Sequence, residues 1–407
     1  MKKVFSVLTV AVLAVSTVFA GFSGSANVDL GYNFENGDYG FANGTGVVFD
    51  YELTSEAGEA KGEGDVYASI KGSLSLTMGN DPDNPDSDLD EGFPVHVTAA
   101  IKEAKVAGEN WSVSILGSGK GLNYASSAID TYKDNGRKLA ETFKPAYESG
   151  PGVEVSVPYV TAGFGFKGNS KTDAYALNGY LKSDAFELTK GLTLEGGLQA
   201  YKANGTRASV AFGGKLAFTN DKMSASVATD MAVSFTKDDA KFDADAAAAF
   251  AMDMVSIDVF YATKNHDASV ENLLSAKVGL TFDPVKVVVT GKDLVNKQNL
   301  GLGLDFEAME GLVFSVNAGY GIKDEKLSVG AGVDYEGDLF NTGLSVGFTR
   351  DFNAEKNGLT LDAYVSTTAL IPGAELSLSY GEGAYPAVQN LLDKHYGAVT
   401  ASCGIAF

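Results

Sequence analysis

Residues 223–235 read MSASVATDMAVSF. Met223, Ala225, Val227, Met231, Val233 and Phe235 share one parity, whereas Ser224, Ser226 and Asp230 share the other. Successive strand side chains point to opposite faces, so this stretch is a strand with one apolar face and one small, polar face. The same rule governs Ala26, Val28, Leu30 and Tyr32 near the start, Ile70, Leu74 and Leu76, Leu300 to Phe306 on even numbers, and Leu312 to Tyr320 on even numbers. It also governs the last residues, where Val399, Ala401, Cys403, Ile405 and Phe407 lie on one face.

No charged side chain falls on the apolar parity of these runs. A soluble sheet tolerates an occasional lysine there, but a face against hydrocarbon is penalised by several kcal/mol for a central charge. Each run is about 9 to 13 residues long, the length of a tilted strand crossing a bilayer. From residue 192 onward, short links (219–222, 252–253, 283–284, 309–311, 337–339) alternate with longer ones, as the two ends of a membrane barrel do. The expectation is an all-β, transmembrane antiparallel barrel of about 20 strands, in a range of about 18 to 22, with both termini periplasmic. The segment 153–168 breaks parity at Pro158 and Tyr159, so it is either two short strands around a turn or one bulged strand.

The first twenty residues have a basic start at Lys2 and Lys3, an apolar stretch, and small residues before Gly21. This is the pattern of a secretory signal cut between Ala20 and Gly21. The remainder, 21–407, reads as one barrel with long outer loops at 79–92, 117–152 and 382–396. The stretch 117–152 has no period-2 pattern; it either enters the lumen or stands outside it. The single cysteine makes an internal disulfide impossible, and Cys403 reads as a small hydrophobe. The net charge is −21, and loss of Lys2 and Lys3 makes it −23. That excludes nucleic acid as a partner through bulk charge.

Candidate chemistry is spread along the inward parity. Asp29, Glu195, Asp230, Asp243, Asp245, Asp258, Asp305, Asp334 and Asp362 are the expected pore-lining acids, and Lys71, Lys215, Lys277 and Lys286 the expected pore-lining bases. Rings of carboxylates in a watery pore raise the local cation concentration and repel anions. A metal site is not expected: Asp86, Asp88 and Asp90 fit positions 1, 3 and 5 of a calcium loop, but Glu91 stands where glycine belongs and Val97 where glutamate belongs. No cofactor and no enzymatic activity are expected. His96, His266 and His395 are scattered, no nucleophile motif is present, and the GSGKG of 117–121 lacks phosphate-loop spacing.

The segments GFSGSANVDLGYNF (21–34), KGEGDVYASIKGSLSLTM (61–78) and the terminal GIAF resemble the major outer sheath protein family of treponemes, which is related to the Tpr proteins. The resemblance implies an outer-membrane location and two roles, porin and adhesin for host matrix proteins such as fibronectin and laminin. The C-terminal face ending in Phe407 resembles the signal that barrels present to their assembly machinery. Outer-membrane lipid and that machinery are the expected partners, and a homotrimer is carried over from general porins.

Overall fold

The computed structural model describes residues 22–35, 37–41, 45–54, 66–78, 95–116, 124–126, 152–169, 174–203, 208–235, 240–263, 272–381 and 389–406. The signal segment with Ala20 and Gly21, the acidic loop with Asp86, Asp88 and Asp90, residues 382–388 and Phe407 lie outside the described residues. The chain forms a closed antiparallel barrel of 22 strands. These are β1 (Phe22–Asn33), β2 (Tyr39–Phe41 continued by Gly46–Thr54), β3 (Tyr67–Met78), β4 (Val95–Gly108), β5 (Trp111–Leu116), β6 (Gly152–Val157), β7 (Val160–Asn169) and β8 (Ala174–Ser183 continued by Phe186–Thr189). There follow β9 (Leu192–Ala203), β10 (Ala208–Thr219), β11 (Met223–Phe235), β12 (Ala240–Met252), β13 (Val255–Ala262), β14 (Leu273–Phe282) and β15 (Val285–Lys292). The ring ends with β16 (Asn299–Met309), β17 (Leu312–Gly321), β18 (Lys326–Glu336), β19 (Asn341–Asp351), β20 (Lys356–Thr367), β21 (Ala374–Tyr380) and β22 (Ala398–Ala406).

Each strand pairs with the next in sequence, and β22 returns to β1 with Ser25 opposite Ala406 and Asn33 opposite Ala398. Closure leaves neither terminal strand with an open edge. The start of β1 and the end of β22 therefore lie at the same end of the barrel. Most two-residue links gather there, at 109–110, 158–159, 190–191, 253–254, 283–284 and 310–311. The strand ends joined by longer links, such as those of β13 and β14 or of β21 and β22, lie at the other end; those of β2 and β3 and of β20 and β21 are exceptions on the short-link side. The parity break at Pro158 resolves as two strands around a turn, with Tyr159 at φ 70°.

Local sequence explains the tightest turns. FELTKGL (186–192) and FEAMEGL (306–312) are near repeats that close in the same way. Gly191 and Gly311 sit at φ +78° and +77°, and each carbonyl accepts the N–H of a neighbouring strand, from Thr219 and Glu336, at 2.8 Å. A Cβ at either glycine would strike that neighbour's carbonyl oxygen, so both the positive φ and the close approach require glycine. At 219–222 the Asn220 side chain accepts the N–H groups of Lys222 and Met223, each at 2.9 Å, and holds the turn without glycine.

The two faces of the ring differ as the alternation predicts. Leu302, on the outer face, is 51% exposed, whereas Asn178 and Gln199, on the inner face, are 1% and 3% exposed. Among the described residues the outer face carries charge at Lys202 and Arg350, each at the long-link end of its strand. A 12-residue strand at about 3.3 Å per residue, tilted by about 40°, spans roughly 30 Å, which matches a hydrocarbon core.

Candidate functional site

The inner face holds every acid and base that the alternation assigned to it. Cross-strand register sorts them into two kinds. Glu195 stands opposite Lys215, Asp258 opposite Lys277, and Lys286 opposite Asp305. Lys71 meets Glu52 at 3.1 Å with both side chains nearly half exposed, and Lys102, placed inward by a bulge in β4, meets Asp50 at 2.7 Å. Opposite charges facing each other across strands stabilise the sheet by about 0.2–1 kcal/mol and cancel locally. Asp230 and Asp334 are the other kind. Asp230 faces Gly213 and Asp245, with Asp243 one inward step away on β12, and Asp334 faces Val313 and Gly343. Asp362 faces Ser345 on β19. The carboxylates therefore form pairs and arcs, not the continuous rings expected from parity alone.

Asp29 and Asp334 are bonded to neighbouring side chains or loops. Asp29, nearly buried, accepts the Asn27 side-chain amide at 2.7 Å, and its backbone N–H donates to Thr45 Oγ1 at 3.0 Å. The Asp334 carboxylate accepts the Tyr364 hydroxyl at 3.3 Å from two strands away.

Asp230 organises the centre of the site. It is 2% exposed at mid-strand, and its Oδ2 accepts two backbone N–H groups, from Tyr124 at 2.8 Å and Ala125 at 2.7 Å. Residues 124–126 belong to the stretch 117–152, so this part of it lies within the lumen, against the wall. The bed beneath is apolar: Ala125 is buried with Ala211, Ala228, Ala232, Phe260, Ala262 and Leu273, and Tyr124 and Ala247 pack against the group. Gly213 is required below, because a Cβ there would overlap the Asp230 carboxylate and crowd the Tyr124 ring at 2.9 Å. Burial first, and then the negative charges of Glu195 and Asp230, push the Tyr124 phenol up to about 12, so it stays neutral beside them. Asp230 and Asp245 are like charges directly opposite each other, an arrangement that is destabilising unless compensated. The two N–H donors supply that compensation at Asp230.

Phe260 and Leu273 are the residues that alternation missed. Each is apolar on the polar face, and each is masked in the sequence by an apolar neighbour of the other parity, Tyr261 and Leu274. The run of small residues in DADAAAAFAM (243–252) is the signal that could have shown a shallow inner wall made to receive another segment.

On the outer face, the residues expected to carry an assembly signal lie where lipid would be. Val399, Ala401, Cys403 and Ile405 all point outward on β22, between β21 and β1.

No protein-family model matches the chain, and no curated protein matches it in sequence. Among solved structures, it is similar to the P pilus usher (PapC) translocation pore, at 12% identity and a TM-score of 0.43, covering 95% of this chain and 99% of that one. It is similar to the ferric enterobactin receptor (PfeA) of Pseudomonas aeruginosa, at 9% identity and a TM-score of 0.48, covering 96% and 81%. A Rh. blastica porin mutant gives 12% identity and a TM-score of 0.35, covering 95% and 99%. The barrel itself rests on the strand pairings described above.

Proposed function

We propose that this chain is an outer-membrane porin that forms a water-filled, cation-preferring channel for small hydrophilic solutes. One observation carries the reading: a closed ring of strands whose outer face is uncharged through its middle and whose inner face is lined with acids in excess of bases. Only a hydrocarbon surround makes the first face stable, and only water makes the second so. The acids of the inner face that outnumber its bases, the exposed Asp334 among them, are the groups that would favour cations. Outer-membrane lipid is the surrounding partner, and the outward face of β22 is the surface offered to the assembly machinery.

The width of the ring decides where selectivity arises. Strands about 4.8 Å apart and tilted about 40° give, for a ring of this size, a circumference of roughly 140 Å and about 44 Å between opposite backbones. The Debye length in 0.1 M salt is about 10 Å, so wall charges alone do not control the axis of so wide a lumen. A segment brought inward, as 124–126 is, places bulk nearer the path of ions. Membership of the major outer sheath protein family is part of the proposal. The adhesin role that the resemblance implies falls mainly on loops outside the described residues.

The test is conductance of the refolded protein in planar bilayers under a potassium chloride gradient. Discrete steps with a cation-selective reversal potential are expected. Insertion without conductance overturns the porin reading.

A further inference from the structure

We propose that the lumen has a solute-binding vestibule on the wall formed by β15 to β20, suited to small zwitterions of amino-acid to short-peptide size. The proposal rests on the porin reading for its role, though not for its chemistry. A cavity of about 650 Å³ opens there toward the end of the barrel that carries the longer links. That volume is in the range of small-molecule sites, roughly 300–1,000 Å³.

Its floor is built from glycines on one strand and short polar side chains on the next. Ser328 Oγ lies 2.7 Å from where a Cβ on Gly319 would stand, Asn299 Oδ1 2.6 Å from that on Gly321, and Thr349 Oγ1 2.5 Å from that on Gly358. The hydroxyl and amide groups thus lie over bare backbone, with Ser328 Oγ–H donating to the Gly319 carbonyl at 3.4 Å, and their remaining donors and acceptors are offered to a solute. Such a surface matches the alternating N–H and C=O groups of a peptide.

Charges of both signs stand at its edge. Lys326 takes the Asp351 carboxylate at 3.0 Å. Lys356 is opposite Asp351 in register, so its ammonium is left without an ion pair among the described residues. Asp324 also has no ion pair among the described residues, although its backbone carbonyl accepts the Asn353 amide at 3.2 Å. A hairpin closes one side: Leu391 N–H donates to the Leu359 carbonyl at 2.9 Å, and His395 Nδ1 meets Glu35 Oε2 at 2.7 Å. This hairpin brings Asn390 and Asp393 to the cavity. A free carboxylate has Lys356 to meet and a free ammonium has Asp324.

Triglycine and maltotriose serve as probes on the full barrel, by calorimetry in detergent and by current block in bilayers. Triglycine is expected to bind and to block, with affinity reduced at least tenfold in K356Q and in D324N, while maltotriose does neither at equal concentration. Equal triglycine binding by both variants and the unaltered protein, or tighter binding of maltotriose, overturns the proposal. So does the absence of any triglycine heat. Heat that the variants lose, in a protein that never conducts, sustains the site and removes the porin reading. Conductance without triglycine binding does the reverse.

Discussion

The contact that holds residues 124–126 in the lumen is small enough to be broken by one substitution. Asp230 Oδ2 accepts N–H groups from Tyr124 at 2.8 Å and Ala125 at 2.7 Å. Hydrogen bonds to a charged partner contribute about 1.5–3 kcal/mol each, against about 0.5–1.5 for neutral ones. Asp230→Asn keeps an acceptor and should cost roughly 2 kcal/mol across the two bonds, and Asp230→Ala, which removes it, roughly 3–6 kcal/mol. At about 1.4 kcal/mol per tenfold, the docked-to-undocked ratio falls about 30-fold in the first case and about 10² to 10⁴-fold in the second. Single-channel recording should therefore show flicker to a larger conductance in D230N and a sustained larger conductance with weaker cation preference in D230A. Both variants lose the same charge, so a graded rise in conductance reports the segment and not the carboxylate. Ala125→Asp tests the apolar side of the same contact, since it adds a charge to a bed of alanine, Phe260 and Leu273 and should also raise conductance. Heat-modifiable migration on gels confirms that each barrel has closed. Wild-type conductance in both D230A and A125D would refute the claim that this contact keeps the segment docked.

Replacing Asp243 and Asp245 with Asn together should shift the reversal potential toward zero under a salt gradient, and an unchanged potential would remove them from the selectivity argument. Leu302→Arg, at mid-strand on the outer face, should lower the urea midpoint of the folded barrel in liposomes by an amount equivalent to about 2–4 kcal/mol, whereas Ser315→Arg on the inner face should leave it close to wild type. Gly163→Val should cost about 1–3 kcal/mol by overpacking, read as a lower Tm, because a Cβ there would overlap the Tyr180 ring that reaches the Glu154 carboxylate.

The barrel was legible because its constraint acts on every second residue over long distances. One misplaced charge on the outer face would have broken the pattern, and the exceptions in the structure, Lys202 and Arg350, sit at strand ends where the penalty fades. Direction of each acid and base was legible for the same reason. Their partners were not, since register between strands is set by turns and bulges and not by either strand alone. Hence Glu195 with Lys215 and Asp258 with Lys277 emerge as cross-strand pairs only once the ring is assembled. The stretch 117–152 falls largely outside the described residues. The lumen position of 124–126 depends on an acceptor more than a hundred residues away, and no local pattern encodes that.

This dependence changes how the acidity of the chain should be understood. A net charge of −21 suggests a pore in which every carboxylate works on passing ions, but the register neutralises several and buries the most central one. Asp230 at 2% exposure cannot act as a free wall charge; its Oδ2 is committed to two N–H donors, and its Oδ1 has no partner among the described residues. A buried carboxylate of this kind is expensive unless hydrogen-bonded, so the docked segment and the ionised acid stabilise each other. It follows that the carboxylate central to the site influences current chiefly by holding residues 124–126 near the path, and that selectivity should respond more to loss of that contact than to loss of any single exposed acid such as Asp334.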